Sequence, residues 1–107
     1  MKKTTNAIKI INNLIKDEKE TQQRIAESYL NTQIGQLIYD ARQQSEFTQK
    51  QLANILGVEE SVIDDLEIGD YEGDGLIMLQ KIARVINCNL QIELSSNNSN
   101  SSLKITV

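Results

Sequence analysis

Residues 48–69 read "TQKQLANILGVEESVIDDLEIG", and two short helices are packed into them with little room between. Thr48 stands where an N-cap offers its hydroxyl to a backbone N–H, and Gln51, three residues on, is the partner that closes a capping box. Leu52, Ala53 and Leu56 follow at helical spacing. Gly57 sits just past the helix, where the chain turns into the left-handed region. Val58 and Glu59 make the turn, and a second helix is expected at once, with Val62, Ile63 and Leu66 as its apolar positions. Two such helices meeting at a glycine-containing turn form a helix-turn-helix. Leu52, Ala53 and Leu56 are expected to pack on Ile63 and Leu66. Ala53 is small because the second helix crosses close above it.

The neighbouring stretches read as further helices. Residues 5–16 place Ile8, Ile11, Leu14 and Ile15 on one face of a short amphipathic helix. "KDEKE" (16–20) is a solvated break or the polar start of the next helix. From Glu20 to Gln44 the positions Ile25, Tyr29, Ile34, Leu37, Ile38 and Ala41 keep helical period, as one helix or as two with Asn31 or Gly35 as the weak point. Downstream, "IGDYEGDG" is a loop with Asp74 at the start of a helix over residues 75–87, where a negative charge suits the dipole. That helix faces inward through Leu76, Leu79, Ile82, Ala83 and Ile86. "NLQIEL" then alternates with period two as a half-buried strand. "SSNNSNSS" is a flexible polar linker. "LKITV" alternates again and pairs with the first strand, pairs with another chain, or stays disordered. The domain division expected is a helical extension over 1–31, a main domain over 32–94, and a linker with a terminal strand over 95–107.

The bulk numbers exclude several function classes. The chain of 107 residues suits one domain and has no proline. It has no histidine and a single cysteine, Cys88, which leaves little for a transition-metal site, a catalytic triad or an internal disulfide. Cys88 lies in an apolar run and is expected to be a buried structural thiol of a cytoplasmic protein. No enzyme activity and no cofactor are expected: there is no glycine-rich phosphate loop and no evident carboxylate pair in a pocket. "DYEGDG" lacks the spacing and final glutamate of a calcium loop. No apolar run approaches the length of a membrane span. The basic, apolar start resembles a signal peptide only superficially, because Lys9, Asn12 and Asn13 interrupt it.

Charge is unevenly placed. The net charge is −4. Residues 58–75, "VEESVIDDLEIGDYEGDG", hold eight acids and no base, whereas the rest of the chain has eleven basic and seven acidic residues.

Taken together, "TQKQLANILGV", "SVI", "LE", "GDYEG" and "LIMLQKIARVINCNLQIEL" resemble the XRE family of phage-repressor-type regulators. The long N-terminal helices, the "YEG" loop and the C-terminal strand are similar to its HigA-type antitoxins. The likeness runs from Ile34 to Leu94, and more loosely over the N-terminal helices. It implies an all-α, phage-repressor-like bundle of about five helices, with an extra N-terminal helix and a short C-terminal strand, commonly dimeric. It also implies binding to operator DNA, autoregulation of the operon and masking of a partner toxin.

Family roles fall on particular residues. The resemblance places Gln49, beside Thr48 and Lys50, against the DNA backbone. It places Glu59, Glu60, Ser61 and Val62 at base edges, with Asp64 and Asp65 further along the groove. Glu60 would read a cytosine amino group and Val62 a thymine methyl. Arg42 and Glu67 match a structural ion pair. Lys81 and Arg84 read as a solvated face. The family often has glycine where this chain has Glu46, so a different turn conformation is expected there. Two functions follow. One is a DNA-binding regulator that reads a palindrome as a dimer. The other is a degenerate helix-turn-helix whose acidic helix docks a basic partner, such as a toxin nuclease, without binding DNA. The first is preferred. The strand "NLQIEL", through its unpaired edge, and the N-terminal apolar helix are the candidate dimer contacts.

Overall fold

A single helix, α1 (Lys2–Gln44), takes up the first two fifths of the chain. The computed structural model describes residues 2–107, with side chains from residue 7 onward. The helices expected over 5–16 and 20–44 are continuous, and "KDEKE" does not break them. Its lysines and glutamates are good helix formers, and Lys16 reaches Glu20 one turn on, at 3.9 Å. The described residues therefore hold four helices, not about five. The others are α2 (Gln49–Leu56), α3 (Glu60–Ile68) and α4 (Gly75–Val85). The fold is mostly helical, with one small antiparallel sheet of β1 (Gln91–Ser95) and β2 (Ser102–Thr106).

Two compact units divide the chain, Met1–Leu30 and Asn31–Val107. In the first, every large apolar side chain from Ile8 to Leu30 is exposed. In the second, one core gathers Ile34 and Ile38 of α1, Leu52 and Ala53 of α2, Ile63 and Leu66 of α3, and Met78, Leu79, Ile82 and Ala83 of α4. Helix α4 buries Leu79, Ile82 and Ala83 as expected and packs Ile86 half-buried against the core; only its first turn differs, with Met78 buried and Leu76 exposed. Asp74 caps that first turn, its Oδ1 accepting from the N–H groups of Leu76 and Ile77 at 3.1 and 3.2 Å.

Helix α1 crosses the end of α3 at Gly35, which is buried. A Cβ there would lie 2.5 Å from the carbonyl oxygen of Leu66 and 2.6 Å from that of Glu67. The glycine is thus a point of backbone contact and not a weak point of the helix.

Beyond α4, Asn87 takes a positive φ of 59° and turns the chain outward. Cys88 is consequently exposed, not buried as expected. The two C-terminal strands pair with each other, Ile92 opposite Ile105 and Leu94 opposite Leu103. "SSNNSNSS" supplies the hairpin loop and the strand ends on either side, closed by Ser96 N–H to the Ser101 carbonyl at 3.0 Å.

Candidate nucleic-acid interface

The site is built on the turn between α2 and α3. Thr48 accepts from Gln51 N–H at 3.0 Å, and the Gln51 side chain accepts from Thr48 N–H at 2.9 Å. This reciprocal cap fixes where α2 begins and stabilises it by about 1 kcal/mol. Gly57, at φ 72°, ends α2, and Val58 N–H returns to the Ala53 carbonyl at 3.0 Å. Only Val58 and Glu59 then separate the glycine from α3. Glu59 takes the N-cap position of α3 with an extended backbone but makes no side-chain capping bond. Its charge still suits the positive end of the helix.

Helix α3 is held by its inner face, where Ile63 and Leu66 are buried. Its outer face leaves Glu60, Ser61, Asp64 and Asp65 exposed. Val62 is one of the apolar positions expected of α3. It is half-buried and packs against the core, so its methyls are partly occupied.

At the start of α2, Gln49 is half-buried and Lys50 exposed. Gln49 Nε2 donates to Asp64 Oδ1 at 3.3 Å, a bond that joins the two helices across their outer surface. An open depression of about 530 Å³ lies beside it, lined by Arg42, Gln43, Glu46, Phe47, Thr48, Gln49 and Glu60. Sequence reasoning did not place Gln43, Glu46 and Phe47 at this site. They arrive because the turn between α1 and α2 folds back onto the start of α2.

That turn is set by Arg42. Its Nε and Nη2 donate to the two Glu67 oxygens, each at 2.8 Å, and Nη1 donates to the Phe47 carbonyl at 3.0 Å. The side chains of this pair are only 9% and 5% exposed. The guanidinium also lies over the Tyr39 ring, 5.4 Å from its centre. The hydrogen bond to Glu67 raises the pKa of Arg42 above its already high ordinary value, against the opposing effect of burial. Glu46 follows in the left-handed region, with φ 62°. The different turn expected from the missing glycine is therefore not found. Phe47 N–H bonds to the Arg42 carbonyl at 3.2 Å, and together with the Arg42 side chain this holds Glu46 in the strained conformation.

The electrostatics of the Asn31–Val107 unit are strongly negative, with five basic residues against eleven acidic ones. Arg42 is engaged, and Lys50 is the cation nearest in sequence to the outer face of α3. Among the described residues no cluster of histidine, cysteine and carboxylates is arranged to hold a metal. No helix of the described residues is long and apolar enough to cross a membrane. In comparisons with protein-family models, with curated proteins and with solved structures, the chain finds no match.

Proposed function

We propose that this protein is a cytoplasmic, DNA-binding transcriptional regulator of the phage-repressor-like, XRE helix-turn-helix type. In this reading it acts as a dimer and as an antitoxin that represses its own operon. The observation that carries the reading is the division of labour on α3. Ile63 and Leu66 anchor it, while Glu60, Ser61, Asp64 and Asp65 point outward and take no part in the core. A helix held so, one tight turn after a capped helix, can lie in the major groove with its first residues at base edges. The N-terminus of α2, with Gln49 and Lys50, then meets a backbone phosphate.

Acids on the reading helix have a defined cost and a defined use. Affinity for DNA rests largely on phosphate neutralisation, so Asp64 and Asp65 weaken binding and make it depend on low salt. Glu60 accepts a hydrogen bond from a cytosine amino group, which gives selectivity without adding attraction. A basic partner bound to the same chain supplies the missing positive charge.

The test is binding to a labelled fragment of the protein's own promoter at low and moderate salt. Wild type is expected to bind at low salt, and Asp64→Asn/Asp65→Asn to bind about tenfold or more tightly. Glu60→Gln is expected to change which fragments are preferred. Absence of wild-type binding at low salt would sink the DNA reading.

A second reading is favoured by the net negative charge of the Asn31–Val107 unit and by the Gln49–Asp64 bond, which engages the amide meant for phosphate. Here the outer face of α3 docks a basic protein such as a toxin nuclease, and DNA is not bound. The same Asp64→Asn/Asp65→Asn variant would then lose partner affinity while gaining none for DNA.

A further inference from the structure

The C-terminal hairpin has one polar and one apolar face. Gln91, Glu93 and Ser95 oppose Thr106, Lys104 and Ser102 on the first. Ile92 and Leu94 oppose Ile105 and Leu103 on the second. Leu94 and Leu103 are 72% and 74% exposed, and Ile105 is exposed as well. A two-stranded hairpin is marginal in water without something covering its apolar side.

This face does not end at the hairpin. Leu90 belongs to it by the two-residue period of a strand, and Leu90 also lines a cavity of about 360 Å³ with Leu37, Leu79, Ile86 and Cys88. Leu37 is half exposed at that cavity. Apolar surface thus continues from the groove onto the sheet.

We propose that this surface is the contact with a second copy of the chain, packed face to face across a two-fold axis. Three considerations select that occupant. The first is charge. The Asn31–Val107 units repel one another, so two copies meet where their acids are absent. The acids of residues 59–74 lie on α3 and the loop after it, whereas Asp40 is the one charged residue lining the groove. A basic partner would be drawn to the acidic face instead. The second is area. Each aliphatic side chain removed from water withdraws roughly 60–120 Å². Covering this surface on both copies therefore withdraws on the order of 1,000 Å², the threshold for a specific interface. The third is the edge. Val107 N–H bonds to the Leu90 carbonyl, so the even-numbered residues of β1 face β2 and Gln91, Glu93 and Ser95 present their backbone outward. Symmetric pairing centred on that edge sets Glu93 opposite its own copy, which is unfavourable. The face, not the edge, makes the contact.

The proposal is tested on the full chain by sedimentation over about a hundredfold concentration range. The partner named is one the proposed regulator requires, but the measurement needs no DNA, so failure of either is seen separately. Wild type is expected to dimerise, and Ile105→Thr, which keeps strand propensity, to raise the dimer Kd about tenfold or more. Glu93→Gln is expected to leave it within about twofold. Labelling of the single thiol, Cys88, is expected to slow as wild type associates, a readout that needs no variant. A monomer at all concentrations overturns the proposal. So does a dimer tightened by Glu93→Gln but indifferent to Ile105→Thr, and so does thiol labelling that ignores association.

Discussion

Arg42 ties three segments together: the end of α1, the turn before α2 through Phe47, and α3 through Glu67. Because both charges are buried, removing one leaves the other unpaired. Glu67→Gln is expected to destabilise by about 3–5 kcal/mol in urea unfolding. An arginine pKa raised in the folded state gives stability that is fully present below the unfolded value and lost only above the folded one. This contribution is therefore constant from neutral to moderately alkaline pH, where the Glu67 carboxylate that causes the shift is charged. Glu46 is the opposite case, a residue held in a conformation that disfavours it. Glu46→Gly relieves about 1–2 kcal/mol of left-handed strain and gives back part of it in chain entropy. The expected gain, up to about 1 kcal/mol, would show as a higher unfolding midpoint. Glu46 also marks a limit of the sequence. Local preference argued for a different turn, yet the hydrogen bonds between Arg42 and Phe47, five residues apart, hold the left-handed one. Cys88 misled for a related reason: the left-handed Asn87 before it turns an apolar run out into solvent.

At the scale of elements, the caps were the most legible feature, because a capping box and a left-handed glycine are set by residues within one turn of each other. Thr48→Ala is expected to cost about 1 kcal/mol, read from the thermal midpoint. Long-range contacts were less visible. Gly35 looked like a flaw in a helix, yet its position against the Leu66 and Glu67 carbonyls admits no side chain. Gly35→Ala should therefore destabilise by about 1–3 kcal/mol despite the better helix propensity of alanine. A gain in stability from that change would refute the close crossing. The continuity of α1 through "KDEKE" was also hidden, since a polar run reads equally well as a loop or as a solvated helix. The inward faces of α2, α3 and most of α4 were legible from period alone; only the first turn of α4 differed, with Met78 buried in place of Leu76. For the candidate site, the resemblance put Glu60, Ser61, Asp64 and Asp65 on one outer face, and all four are exposed. It gave no sign of the depression that Glu46 and Phe47 complete.

At the scale of the molecule, every buried apolar side chain among the described residues lies from Ile34 onward. Removal of the first 28 residues is therefore expected to change the unfolding free energy of the remainder by about 0.5 kcal/mol or less. Comparison of denaturation curves checks this directly. Charge follows the same division: six of the eleven basic residues precede Asn31, and eleven of the fifteen acids follow Leu30. Such a distribution is visible in the sequence, but which acids share one surface is not. The outer residues of α3 add almost nothing to the core, and its inner residues take no part in the outer surface. Selection can thus change the outward set, even in the sign of its charge, without endangering the fold. A new target for this surface can therefore be written on Glu60, Ser61, Asp64 and Asp65 while Ile63 and Leu66 stay as they are.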